Sequence, residues 1–112
     1  MENQFERTQM LLGEEALEKL NHSRVIVFGV GGVGGYVTEA LARSGVGQID
    51  IVDKDTVSLT NLNRQIIATR KTLGLYKVDV MKERIADIIT QHQQFIFMVV
   101  IRAKSNGEII FE

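Results

Sequence analysis

A chain of 112 residues, 45% apolar and 24% charged, suffices for one compact domain with a packed core and is too short for the two that most nucleotide-dependent enzymes use. Its 13 basic and 14 acidic side chains leave a net charge of -1, so no global field draws in nucleic acid or a membrane surface. The absence of cysteine excludes disulfides, a thiolate zinc site and a cysteine nucleophile within the chain.

The first residues, Met1 to Arg7, carry charges of both signs and no apolar export-signal core, and the longest apolar run, residues 95–101, is far short of a membrane span. A soluble, cytoplasmic protein with no membrane contact is expected. Residues 6–20 place Met10, Leu11, Leu12, Ala16, Leu17 and Leu20 at spacings that predict one or two amphipathic helices broken near Gly13. Residues 24–29 are short, β-branched and nearly all apolar, the pattern of a strand buried in a parallel sheet. Five glycines follow within residues 29–35, and residues 36–44 return to helical spacing until Gly45 and Gly47 stop them. Residues 48–53 alternate Ile49 and Ile51 with polar neighbours and predict a second, parallel strand.

Beyond it, residues 57–63 read as loop or a short helical turn and residues 64–69 as a brief helix. Val78, Met81, Ile85, Ile88 and Ile89 define one face of a helix within residues 76–90, with Lys82, Glu83 and Arg84 outside. Residues 95–101 are strand-like, and Asn106-Gly107 before Ile109 to Phe111 is a hairpin signature. The reading is an α/β protein: a Rossmann-like parallel sheet with flanking helices, divided into an N-terminal helical arm (1–23), a nucleotide-binding domain (24–92) and a divergent tail with a strand or hairpin (93–112).

The motif with most chemical content lies between the first strand and the glycine-started helix: Gly29, Gly31, Gly32 and Gly34. Gly29 permits a tight turn, Gly31 lets backbone approach a phosphate, Gly34 lets helix and strand pack closely, and the helix N-terminus presents unpaired N–H groups to an anion. Asp53, at the end of the second strand, is placed to accept hydrogen bonds from ribose hydroxyls. A dinucleotide-dependent dehydrogenase uses the same loop, so NAD remains an alternative at this point. The residues after Asp53 favour ATP. Attack at an α-phosphorus builds charge on a triphosphate, and Arg64 and Lys77 supply fixed cations for it, with Asn61 and Gln65 as neutral donors. Asp55 helps to hold magnesium, orients one of those cations, or caps the turn. His22 and His92 are isolated, and no metal-ligand spacing is present. Basic residues exceed acidic ones between 64 and 84, which reads as a nucleic-acid-facing patch or as ordinary surface beside a phosphate site.

In identity and spacing, Gly29-x-Gly-Gly-x-Gly34, Asp53-x-Asp55, Asn61-x-x-Arg64-Gln65 and Lys77 resemble the adenylation signature of the ThiF/MoeB/HesA superfamily, which includes the ubiquitin-activating enzymes. The resemblance spans about residues 4–89 and is most like its tRNA threonylcarbamoyladenosine dehydratase branch at residues 7–17, 42–47 and 80–84. It implies ATP and magnesium as cofactors, a ribose contact at Asp53, and phosphate contacts at Asn61, Arg64 and Lys77. It also implies an arginine, Arg7, that reaches a neighbouring subunit's active site, hence a homodimer, with Arg7, Arg64 and Lys77 as the catalytic set. The expected substrate is the carboxylate of a threonylcarbamoyl group on tRNA. The alternatives are adenylation of a ubiquitin-like sulfur-carrier protein and a nucleotide-binding module without catalysis. After residue 90 the sequence departs from the family, so the downstream magnesium aspartate, the sheet-completing strands and the acceptor-binding region are expected to be missing. Residues 95–112 then replace a third strand or form an unrelated tail.

Overall fold

Alternation decides how the first strand sits. In the computed structural model, which describes residues 3–90, 97–103 and 109–111, β1 (Arg24–Phe28) packs Val25 and Val27 against the core and leaves Arg24, Ile26 and Phe28 exposed. That is the period-two pattern of a strand covered on one face, not the two-sided burial its composition predicts. β2 (Gln48–Asp53) is buried from Ile49 to Val52 and runs parallel to β1, with Val25 opposite Ile49 and Val27 opposite Ile51. β3 (Phe97–Ala103) pairs parallel to β2, and β4 (Ile109–Phe111) pairs antiparallel to β3, giving the order β1-β2-β3-β4. The tail therefore supplies a third strand and half of a hairpin; the Asn106-Gly107 turn lies outside the described residues, as does His92.

Four helices complete the layers. α1 (Glu6–Leu12) and α2 (Glu14–Asn21) are divided at Gly13, whose positive φ breaks the helix where the sequence predicts. α3 (Gly32–Ser44) and α4 (Lys77–Ile88) share one core with Val27, Ile49 and Ile51, through Ala42 of α3 and Val78, Met81 and Ile85 of α4. Arg84, read as an outer residue of α4, instead donates to Glu39 of α3, which also accepts from Arg43. The N-terminal arm is pinned at both ends. Phe5 and Leu17 are buried against Gly45, just past the last turn of α3. Gln4 accepts from the Thr90 backbone N–H at 2.8 Å and donates to the Ile88 carbonyl.

Two elements depart from expectation. α3 begins at Gly32, inside the glycine run, because close packing of the first turn outweighs the poor helix propensity of glycine. Residues 64–69 form turns instead of a helix. There the Thr72 hydroxyl donates to the Ile67 carbonyl and accepts the Thr69 N–H, local bonds that compete with helical ones. Met10 and Leu11 also fail to bury, standing 81% and 84% exposed on α1. Among the described residues no helix is long and apolar enough to cross a membrane.

Candidate functional site

The glycine turn follows β1 at the end of the sheet where β2 also finishes. Gly29 has φ +87°, a conformation that side-chain-bearing residues rarely adopt, and its N–H bonds the Val52 carbonyl at 2.7 Å. At Gly34 a Cβ would overlap the Gly29 carbonyl oxygen, so helix and turn touch backbone to backbone. No side chain caps α3, and the first intrahelical bond is from Gly35 N–H to Gly31 O. The N–H groups of the first turn are thus left toward the mouth of the site, the arrangement that favours an anion.

Hydrogen bonds link this turn to the rest of the predicted set. One Asp53 oxygen accepts the Val30 N–H at 2.8 Å, and the other accepts the Asp55 N–H at 2.8 Å. The Asp55 carbonyl accepts the Lys77 N–H at 3.0 Å, and an antiparallel bridge between Thr56 and Tyr76 continues the pairing. β2, the glycine turn and the first residue of α4 are so joined by three bonds. The Asp55 side chain is exposed and accepts none of them.

Lys77 itself is 7% exposed, and among the described residues it has neither a carboxylate within ion-pairing distance nor a hydrogen bond to its ammonium group. Its stem is thus packed and not spread over the surface. Gln65 is 8% exposed and lies against Gly31, close enough that a Cβ there would come within 3.3 Å of its amide nitrogen. Its Oε1 is buried without a partner. Burying a polar atom without a partner is costly, so Gln65 Oε1 stands ready for something polar that meets it, and the Lys77 ammonium group is uncommitted among the described residues.

The other predicted residues divide. Asn61 is buried, and its amide oxygen accepts the Ser58 N–H at 2.9 Å in a capping box of the 3-10 helix Leu59–Asn63, which leaves the amide nitrogen for other use. Arg64 is exposed and donates to Thr60 O at 3.0 Å and Asn63 Oδ1 at 2.9 Å, held over its own turn. Arg7 is exposed on α1 in a shallow groove with Glu6, Met10 and Leu11. Phe5 packs at Gly45, so this arm sits at the far end of α3 from the glycine turn, about 20 Å away at 1.5 Å per residue. The structure does not bring Arg7 to the other site residues within one chain. Among the described residues no three His, Cys, Asp or Glu side chains converge as a metal site.

Sequence reasoning did not find Asp50, which is 4% exposed and accepts from Arg24 Nε at 2.8 Å and Gln48 Nε2 at 3.2 Å. A charged residue between two isoleucines in a strand was the available signal.

A model of the ThiF family matches residues 5–110. The chain is 58% identical over 88 residues to tRNA threonylcarbamoyladenosine dehydratase of Bacillus subtilis, which covers 79% of this chain and 35% of that protein. It is 43% identical over 74 residues to molybdopterin-synthase adenylyltransferase of Salmonella typhimurium, covering 66% of this chain and 30% of that one. Among solved structures, E. coli tRNA N6-threonylcarbamoyladenosine dehydratase in complex with ATP matches with a TM-score of 0.77 and 44% identity over 86% of this chain and 39% of its own. The chain spans about a third of the length of each of these two curated relatives.

Proposed function

This chain belongs to the ThiF family, and on that premise we propose that it is the nucleotide-binding part of an ATP-dependent adenylating enzyme of the tRNA threonylcarbamoyladenosine dehydratase type. The observation that carries the reading is Lys77 at the start of α4, its stem packed and its ammonium group uncommitted among the described residues, beside the backbone bonds that tie Asp55 to Asp53 and the glycine turn. A triphosphate is the ligand chemistry that meets an uncommitted cation and free helix N–H groups together.

In this reading ATP lies across Gly29, Gly31, Gly32 and Gly34. Asp53, whose oxygens each retain a lone pair after accepting one backbone N–H, takes the ribose hydroxyls. Lys77 and Arg64 hold the phosphates, with Asn61 and Gln65 as neutral contacts. A carboxylate oxygen attacks the α-phosphorus, an acyl–adenylate forms and pyrophosphate leaves, while the fixed cations stabilise the charge that develops. The donor set fits a triphosphate better than a bare metal ion. Asp55, whose carboxylate is exposed, would be the residue to hold a magnesium ion brought by the nucleotide, and that ion would supply further charge neutralisation.

By kinship with the dehydratases, the activated group is the threonylcarbamoyl carboxylate on tRNA. The likeness to molybdopterin-synthase adenylyltransferase supports a second reading, a ubiquitin-like sulfur carrier as substrate. Arg7, exposed and remote from its own glycine turn, acts in a second copy, which makes the working unit a homodimer. Residues 1–23 are then the exchanged arm, 24–92 the nucleotide domain and 93–112 the tail, in a cytoplasmic protein.

Calorimetric titration with Mg-ATP tests the reading, with NADH and Arg64→Ala as controls. Saturable ATP binding that Arg64→Ala weakens and NADH does not reproduce supports it. Preference for NADH makes the chain a dinucleotide module instead. ATP–pyrophosphate exchange then separates an adenylating enzyme from a binding module without catalysis.

A further inference from the structure

The chain as a whole is acidic by one charge, yet between Asp55 and Asp79 it carries no acidic residue and four cations, Arg64, Arg70, Lys71 and Lys77. None of the four has a carboxylate within ion-pairing distance among the described residues, where the ion pairs use Lys19, Arg24, Arg43 and Arg84 instead. A solvated face ordinarily mixes the two signs, as α4 does with Lys82 beside Glu83. Arg64 and Lys77 belong to the nucleotide reading. Arg70 and Lys71, both exposed, are not used by it.

The backbone beneath this pair adds an independent argument. Arg70 and Lys71 are the two central residues of a β-turn closed by the Thr72 N–H on the Thr69 carbonyl at 3.0 Å. The Thr72 hydroxyl accepts the Thr69 N–H at 2.9 Å and donates to the Ile67 carbonyl at 2.8 Å, which locks the turn from inside. Ile67 and Ala68 at its root are buried in the core. On the return side the Gly74 N–H bonds the Val57 carbonyl and the Val57 N–H bonds the Leu75 carbonyl, both at 2.8 Å. A loop tied at both roots presents two adjacent cations on a backbone that has little freedom left to lose on binding.

We propose that Arg70 and Lys71, at the tip of the Thr72-locked turn, are a contact for the phosphate backbone of a nucleic acid, and that they hold the tRNA whose carboxylate the neighbouring site activates. The loop leaves that site at Arg64 and Gln65 and returns to it at Lys77, so a polyanion gripped at the tip is held one loop away from the nucleotide. With a net charge of -1 no long-range field gathers the polyanion, and the grip has to be local. Two adjacent cations suit successive phosphates and read no base, so they position the nucleic acid and leave its selection to other groups. An anionic lipid surface takes larger clusters, of about four to eight cations. The choice of tRNA rests on the nucleotide reading above; the phosphate contact does not.

The test is fluorescence anisotropy of a labelled tRNA transcript with the full 112-residue chain, from about 50 to about 200 mM salt. Mg-ATP calorimetry is run on the same proteins. The expected result is binding whose logarithm falls linearly with that of the salt concentration. The double variant Arg70→Gln, Lys71→Gln should lower that slope by about 2 and weaken binding by about tenfold or more at the low-salt end. The swap Arg70→Lys, Lys71→Arg should keep both, as should Lys19→Gln, Lys82→Gln, which removes the same charge elsewhere. Mg-ATP affinity should not change in any of them. Circular dichroism and urea midpoints confirm that each variant is folded. A folded chain that binds no tRNA overturns the proposal, as does equal weakening by the two glutamine pairs. Loss of Mg-ATP together with tRNA also overturns it, placing Arg70 and Lys71 on the nucleotide. So does pair-dependent binding to phosphatidylglycerol vesicles with tRNA binding unaffected, which makes a lipid surface the partner. Pair-dependent tRNA binding in a chain that binds no Mg-ATP upholds the phosphate contact and removes the nucleotide reading alone.

Discussion

Asp53 accepts the Val30 backbone N–H at 2.8 Å, so the acidic residue at the end of β2 fixes the glycine turn that follows β1. The same carboxylate accepts the Asp55 N–H. Asp53→Ala therefore does two things. It removes the proposed ribose acceptor and strands two backbone donors, at a cost of roughly 1–3 kcal/mol. Urea denaturation and Mg-ATP titration of the same variant should both show losses; unchanged stability would mean that water replaces the carboxylate at Val30 and Asp55.

Lys77 offers a cleaner separation. Its stem is packed, and its ammonium group has no carboxylate or hydrogen-bond partner among the described residues, so the charge does little for the fold and is available to an anion. Lys77→Met keeps the apolar stem and should leave the protein as stable or up to about 2 kcal/mol more stable. Mg-ATP affinity should fall by about tenfold to hundredfold, the worth of one charge-assisted hydrogen bond. A variant that loses stability and binding together would place Lys77 in the fold and not in the site.

Neighbouring glycines should respond differently to the same methyl group. At Gly34 a Cβ overlaps the Gly29 carbonyl, and neither backbone can yield, so Gly34→Ala should cost about 1–3 kcal/mol or more. At Gly32 a Cβ meets nothing within 4 Å and φ is not positive, so Gly32→Ala should be neutral or stabilising by up to about 1 kcal/mol. Urea midpoints measure the difference directly.

What could be read from the sequence was what local pattern encodes. β1, the glycine turn, β2 and α4 emerged because periodicity and glycine placement act over a few residues, and Asp53, Gln65 and Lys77 because their spacing follows from those elements. Long-range pairing was not readable: Arg24 with Asp50 and Glu39 with Arg84 are 26 and 45 residues apart, and nothing local marks either partner. Burial was misread where exposure has a tertiary cause. Met10 and Leu11 are apolar at helical spacing, yet α1 has no buried residue, and β1 exposes Ile26 and Phe28 because no helix described here covers that face of the sheet. The turn at residues 64–69 escaped because the Thr72 hydroxyl, not propensity, decides it.

The Glu39 junction gives the pH dependence. Partial burial pushes its carboxyl up, but the guanidiniums of Arg84 and Arg43 outweigh that and hold it below its ordinary value of 4.5. A carboxylate whose folded pKa is depressed binds fewer protons in the native state than in the unfolded one. Its contribution is thus complete above the unfolded value and is lost as pH falls through the folded one. Glu39→Gln should remove that contribution: wild type should lose more stability than the variant as pH drops from about 7 to 3, with the two curves converging at the acid end. Because the pair joins α3 to α4 across the core that seats the glycine turn, the acid loss should appear first as loosened packing between these helices, read by hydrogen exchange along residues 39–43 and 80–85. Parallel curves for wild type and Glu39→Gln would assign the acid sensitivity to other carboxylates.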